Sequence, residues 1–255
     1  MIKTKQIVID GQLAVYTEAG EGSPVLLLHG WGCRAATLKD IQEDLSKTHK
    51  VFAVDFPGFG GSDEPEEVWG VEDYANWTVK LMQKLGIANP VVLGHSFGCR
   101  VALILNSKAP LSKLIFTGGA GLIMAEDIER RKGNQGIKKA KGFLEKILPK
   151  STFDWAKEKM VDMMGSADYK NASPKMREVL KRILHEDLKE YAVKIEVPTL
   201  LIWGETDTAT PVSMARAFHE YIKDSSLEIL PGAGHYVFID KKEQFLDLVN
   251  DFLKV

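Results

Sequence analysis

Pro90-Val91-Val92-Leu93-Gly94-His95-Ser96-Phe97-Gly98-Cys99-Arg100-Val101-Ala102-Leu103-Ile104-Leu105 is the stretch on which the fold turns. Val91 to Leu93 is a short, continuous apolar run ended by glycine, the pattern of a strand buried on both faces. From Cys99 onward the pattern is helical. Between them lies Gly94-His95-Ser96-Phe97-Gly98, a G-x-S-x-G pentapeptide in strand-to-helix context. A serine at such a sharp turn is held in strained backbone and projects its hydroxyl from the carboxyl edge of the sheet. Gly94 and Gly98 lack side chains, so the turn closes without collision. The N–H of Phe97 opens the helix, where unpaired donors and the dipole favour negative charge.

Moving outward, other apolar runs repeat the pattern. Pro24 to Leu28 ends at His29-Gly30, Val51 to Val54 at Asp55, Leu114 to Phe116 at Thr117-Gly118-Gly119, and Thr199 to Trp203 at Gly204. Amphipathic stretches separate them: Tyr74 to Leu85, Val101 to Leu105 and Phe245 to Phe252. Strand and helix in alternation predict βαβ units, an α/β protein with a parallel sheet covered on both faces. Lys3 to Ile9 and Leu13 to Glu18, joined by Asp10-Gly11, predict a hairpin at one sheet edge.

The alternation stops between Gly121 and Lys194. That stretch is helical by composition, with breaks at Gly133, Gly136, Pro149, Gly165 and Pro174. It carries 17 Lys and Arg against 12 Asp and Glu, and five of the eight methionines. The expectation is a core of residues 1–120 and 195–255 with a helical insert at 121–194. No internal repeat or low-complexity tract is present.

A nucleophilic serine needs a base. Of six histidines, His235 stands out, because Pro231-Gly232-Ala233-Gly234-His235 is a Gly-rich loop after the strand Leu227 to Leu230. His29 follows a strand and is read as a brace for its loop; His95 adjoins Ser96 but points elsewhere at such a turn. His49, His185 and His219 lie in or beside helical segments, without a partner signal. Asp207, in Trp203-Gly204-Glu205-Thr206-Asp207, is the candidate orienting carboxylate, with Glu205 as competitor and a turn-stabilising Asx role as the structural alternative. The chain order Ser96, Asp207, His235 is the order this topology expects.

Composition narrows the function further. The chain has 255 residues, 45% hydrophobic and 27% charged, with a net charge of -2. That balance provides no field for nucleic acid or an anionic membrane. No apolar run reaches the length of about 18 residues that a membrane span needs. Ile7-Val8-Ile9 is too short for a signal-peptide core, which predicts a cytoplasmic protein. Cys33 and Cys99 read as two reduced thiols, neither at metal-ligand spacing. No Walker loop and no G-x-G-x-x-G opening a βα unit is present, so no cofactor and no metal is expected.

Four signals together resemble the α/β-hydrolase fold family over essentially the whole chain. They are His29-Gly30-Trp31-Gly32, Asp55-Phe56-Pro57-Gly58-Phe59-Gly60-Gly61-Ser62-Asp63, the Ser96 turn, and the Gly204 to Asp207 and Gly234-His235 pair. The resemblance implies a mostly parallel eight-stranded sheet with helices on both faces and a small helical cap at 121–194. It implies that the backbone N–H of Trp31 joins that of Phe97 as an oxyanion donor, and that the Asp55 to Asp63 loop shapes the site. Aspartate at the centre of the turn marks haloalkane dehalogenases and epoxide hydrolases; Ser96 stands here instead. The His29 loop and short cap also resemble carboxylesterases that cleave the pimeloyl carrier-protein methyl ester. The turn Gly-His-Ser-Phe-Gly departs from that group, so its substrate is not carried over.

The expected activity is therefore a serine carboxylesterase acting on small to medium esters through an acyl-enzyme. Met124, Trp155, Met160 and Met164 of the cap are the expected substrate-lining residues, each also able simply to pack a helix on its neighbours. The basic surplus of the cap reads as solvated helix face, with a phosphorylated or carrier-protein partner as the alternative. The expected partner is a small-molecule ester, with the chain a monomer or weak homodimer. Rival readings on the same three residues are a carbon–carbon bond hydrolase, a cofactor-free perhydrolase, and a slow-turnover ligand-binding module.

Overall fold

The order of the strands across the sheet decides where every loop emerges, and it is β1-β2-β4-β3-β5-β6-β7-β8. The computed structural model describes residues 1–124 and 172–254. The strands are β1 (Lys3–Ile9), β2 (Gln12–Ala19), β3 (Pro24–Leu28), β4 (Lys50–Val54), β5 (Val91–His95), β6 (Lys113–Thr117), β7 (Thr199–Gly204) and β8 (Ser225–Leu230). β1 pairs antiparallel with β2, and β2 antiparallel with β4. Every pairing from β4 to β8 is parallel. The edge hairpin, the parallel centre and the count of eight strands are as expected.

The described helices are α1 (Lys39–Leu45), α2 (Val71–Leu85), α3 (Phe97–Leu105), α4 (Pro174–Leu184), α5 (Lys189–Ala192), α6 (Val212–Tyr221), α7 (Val237–Asp240) and α8 (Lys242–Lys254). A short 3-10 turn, Ala35–Leu38, precedes α1. Because side chains alternate along a strand, β3 feeds two separate cores. Leu26 and Leu28 pack with α2, α3 and α6 on one face. Val25 and Leu27 pack with α1, α7 and α8 on the other. All four are fully buried. Burial of that kind stabilises by about 1.5–3 kcal/mol per side chain, which is why so apolar a run occupies the middle of the sheet.

Of the expected helical insert, the described part is 121–124 and 172–194. Residues 125–171 lie outside the described residues, and with them Trp155, Met160 and Met164. In the described part, α4 begins at a Ser173 cap that accepts a hydrogen bond from Met176 N–H at 3.2 Å, with Pro174 in the first turn. Met176, Val179, Leu180 and Ile183, at helical spacing, form its buried face. Its far end is fastened to the core. Arg100 Nη1 donates to the carbonyls of Ile183 (2.9 Å) and Glu186 (3.1 Å). Glu186 in turn accepts from Val71 N–H at the start of α2, and Arg182 donates to Val68 O at 2.6 Å. Burial of Glu186 works against its charge and raises its pKa despite these partners.

Candidate active site

Ser96 has φ 50° and ψ −107°, between the end of β5 and the start of α3. A non-glycine residue held there stores about 1–3 kcal/mol of strain. Close packing maintains it. A Cβ on Gly98 would stand 2.1 Å from Leu28 O, and one on Gly94 would stand 2.8 Å from Cys99 N. Ser96 N–H donates to Thr117 O on β6 at 3.1 Å.

Asp207 and His235 follow the carboxyl ends of β7 and β8, on the same sheet edge as Ser96. His235 Nδ1 donates to Asp207 Oδ2 at 2.8 Å. Asp207 is fully engaged otherwise: Oδ1 accepts from the N–H groups of Ala209 and Thr210, each at 2.9 Å, and Oδ2 also accepts from Thr210 Oγ1 at 2.9 Å. Burial pushes this carboxyl upward, but the hydrogen bonds from His235 and Thr210 outweigh it and hold the pKa below the usual range. So Asp207 orients the imidazole and also closes its own turn. Glu205, the competitor, instead accepts from Gly232 N–H at 3.0 Å.

Among the described residues Ser96 Oγ forms no hydrogen bond to His235. The pair from β7 and β8 is assembled; Ser96 stands on the same edge without that contact. Such contacts are often loose without substrate and tighten when it binds.

Trp31 and Phe97 come together, their rings edge-to-face with centroids 5.6 Å apart. Neither backbone N–H is engaged by another described residue. The Trp31 loop is braced by His29, whose Nδ1–H donates to Gly30 O (2.7 Å) while Nε2 accepts from Phe56 N–H (3.0 Å). Complete burial lowers its pKa from 6.5 to about 4. Asp55 ties the next loop down, accepting from the N–H groups of Ala35 (2.7 Å) and Gly61 (2.9 Å).

A cavity of about 740 Å³ opens beside this edge, lined by Trp31, Arg34, Phe59, Glu64, Met176 and Tyr236 among others. Met124 is not one of its lining residues; it packs against the core on the α2–α3 face. Tyr236 is a lining residue that the sequence reading missed, whereas Met176 is one of the five methionines of the insert, which the sequence offers as pocket-lining candidates. Tyr236 had a usable signal in its place next to His235, and Met176 lies in the amphipathic period of α4. Among the described residues no cluster of His, Cys, Asp and Glu is arranged to hold a metal ion.

A mostly parallel sheet with a strained serine after β5 and an aspartate–histidine pair after β7 and β8 defines an α/β protein whose candidate site lies along the carboxyl edge of the sheet. Residues 23–242 match the sequence family described as alpha/beta hydrolase fold, and the chain belongs to that family. Similar relatives include a pimeloyl-[acyl-carrier protein] methyl ester esterase of Aliivibrio salmonicida, 26% identical, with 92% of this chain and 94% of the relative covered. A 2-hydroxy-6-oxo-6-(2'-aminophenyl)hexa-2,4-dienoic acid hydrolase of Metapseudomonas resinovorans is also 26% identical, with 93% of this chain and 86% of the relative covered. Among solved structures, an esterase from Exiguobacterium antarcticum superimposes with a TM-score of 0.74 at 24% identity, covering 97% of each chain, a likeness of fold.

Proposed function

We propose that the protein is a serine hydrolase that cleaves small to medium carboxylic esters through an acyl-enzyme. The observation that carries this reading is the 2.8 Å Asp207–His235 pair on the same sheet edge as the strained Ser96. In the proposed cycle, His235 takes the Ser96 proton as Oγ attacks the ester carbonyl. Asp207 holds the tautomer with Nδ1–H and stabilises the imidazolium. The N–H groups of Trp31 and Phe97 receive the developing oxyanion, each such donor being worth roughly 3–4 kcal/mol of barrier. His235 returns the proton to the leaving alcohol; water activated by the same imidazole then releases the acid. Segment 121–194 acts as the cap that shapes the substrate pocket, with α4 as its fixed base through Arg100 and Glu186.

A carbon–carbon bond hydrolase on the same residues is the second reading, supported by the Metapseudomonas relative and by Arg34, a cation among the described residues lining the cavity. Glu64 lines the same cavity, which weakens the case for a carboxylate-bearing substrate and leaves the ester reading first.

Fluorophosphonate labelling tests the nucleophile and a p-nitrophenyl ester series tests the substrate class. Stoichiometric modification at Ser96, lost in Ser96→Ala, together with turnover of short to medium acyl chains is the expected result. A labelled protein that hydrolyses none of the series shifts the assignment to carbon–carbon cleavage or to a binding module. An unlabelled protein ends the serine mechanism.

A further inference from the structure

His95 is a buried imidazole that the proposed cycle does not use. It is 1% exposed. Its Nδ1 lies 3.1 Å from Thr117 O, a group that only accepts, so the proton is on Nδ1. Its Nε2 is buried without a hydrogen-bond partner among the described residues. An unsatisfied buried acceptor costs about 1–3 kcal/mol, and its retention calls for an explanation.

The explanation lies in what the ring touches. Its centroid is 4.8 Å from that of His235, 5.0 Å from Tyr236 and 5.0 Å from Phe238. Its opposite edge meets the loop that carries Trp31: a Cβ on Gly30 would stand 2.9 Å from His95 Cδ2, 3.3 Å from Nε2 and 3.3 Å from Ser96 Cβ. One ring thus separates three parts, the loop of residues 30–31, the nucleophile turn at 96, and the imidazole at 235. Thr117 O, which anchors it, also anchors Ser96 N–H.

We infer that His95 is a positioning residue, a wall that fixes the plane of His235 against Asp207 and sets its spacing from Ser96 and the Trp31 loop. The catalytic importance of that spacing rests on the serine-hydrolase reading; the packing of His235 does not. The wall needs a flat ring. A neutral ring is required as well, because a cation there would oppose the imidazolium formed on His235. Burial, then the neighbouring His235, depress the His95 pKa from 6.5 to about 3, so the ring stays neutral.

Two substitutions separate the ring from its anchor. His95→Phe keeps a flat ring and removes both nitrogens. His95→Asn keeps an N–H donor near the Nδ1 position and removes the ring. The first readout is the low-field proton resonance of His235 Nδ1–H, assigned by its loss in Asp207→Asn; it does not depend on turnover. The wild type and His95→Phe keep a sharp resonance, and His95→Asn broadens it through exchange. The second readout is ester turnover: His95→Asn lowers kcat by about 10–100-fold with KM within threefold, the size of loss a misplaced catalytic group produces. His95→Phe stays within about fivefold of wild type. A sharp resonance retained in His95→Asn, or lost equally in His95→Phe, overturns the inference. Absence of ester turnover in the wild type overturns the functional reading alone, since the resonance still reports on the wall.

Discussion

His29 links acid stability to the Trp31 loop. Both ring nitrogens are committed, Nδ1 donating to Gly30 O and Nε2 accepting from Phe56 N–H. Protonating Nε2 would aim two donors at each other inside the core. Complete burial of the ring lowers the folded pKa from 6.5 to about 4. Below pH 6.5 the unfolded chain takes up a proton that the native chain refuses. Unfolded molecules then hold more protons, so stability falls as pH falls and levels off below the folded value. A shift of that size removes about 2.5 kcal/mol by pH 4.5, at up to about 1.4 kcal/mol per pH unit. His29→Asn keeps an amide donor for Gly30 O and removes the titration. Urea unfolding of both proteins between about pH 7.5 and 4.5 reads the difference, and His95, present in both, cancels. The variant is the less stable protein at neutral pH, and the gap narrows by about 2–3 kcal/mol on acidification. Parallel stability curves for the two proteins across this range would refute the argument.

Two further outcomes are expected. Asp207→Asn folds, yet loses kcat by a factor on the order of 10⁴, because the imidazole is left in the wrong tautomer. Glu205→Gln stays within about threefold in the same steady-state assay, and the reverse ranking assigns the acid to Glu205. Ser96→Gly abolishes ester turnover while raising thermal stability by about 1 kcal/mol, the relief of left-handed backbone outweighing the entropy of glycine. A calorimetric Tm at or below that of the wild type removes strain from the account of this turn.

Much of the site was legible because its parts are local patterns. The strand, the G-x-S-x-G turn and the helix are contiguous from Val91 to Leu105, and each runs its own periodicity. The apolar runs marked the buried strands, and Asp10-Gly11 marked the hairpin. The loop glycines placed His235 after a strand, but could not show it bonded to Asp207.

Residues far apart in sequence or in an irregular place were not legible. Met124 carries the same apolar character whether it lines a cavity or packs on a helix, and the structure packs it against the core. His95 was read as pointing away from the serine. Strand alternation does turn it from Ser96, but it turns it onto a histidine 140 positions later in the chain, which no local pattern encodes. Hydrophobic period and turn chemistry are short-range properties, so the sequence alone determined which segments are strands and where the strained turn at Ser96 lies. The choice of Asp207 over Glu205, the lining of the cavity and the wall behind His235 depend on which strands become neighbours. That order, with β4 crossing between β2 and β3, is a property of the packed sheet.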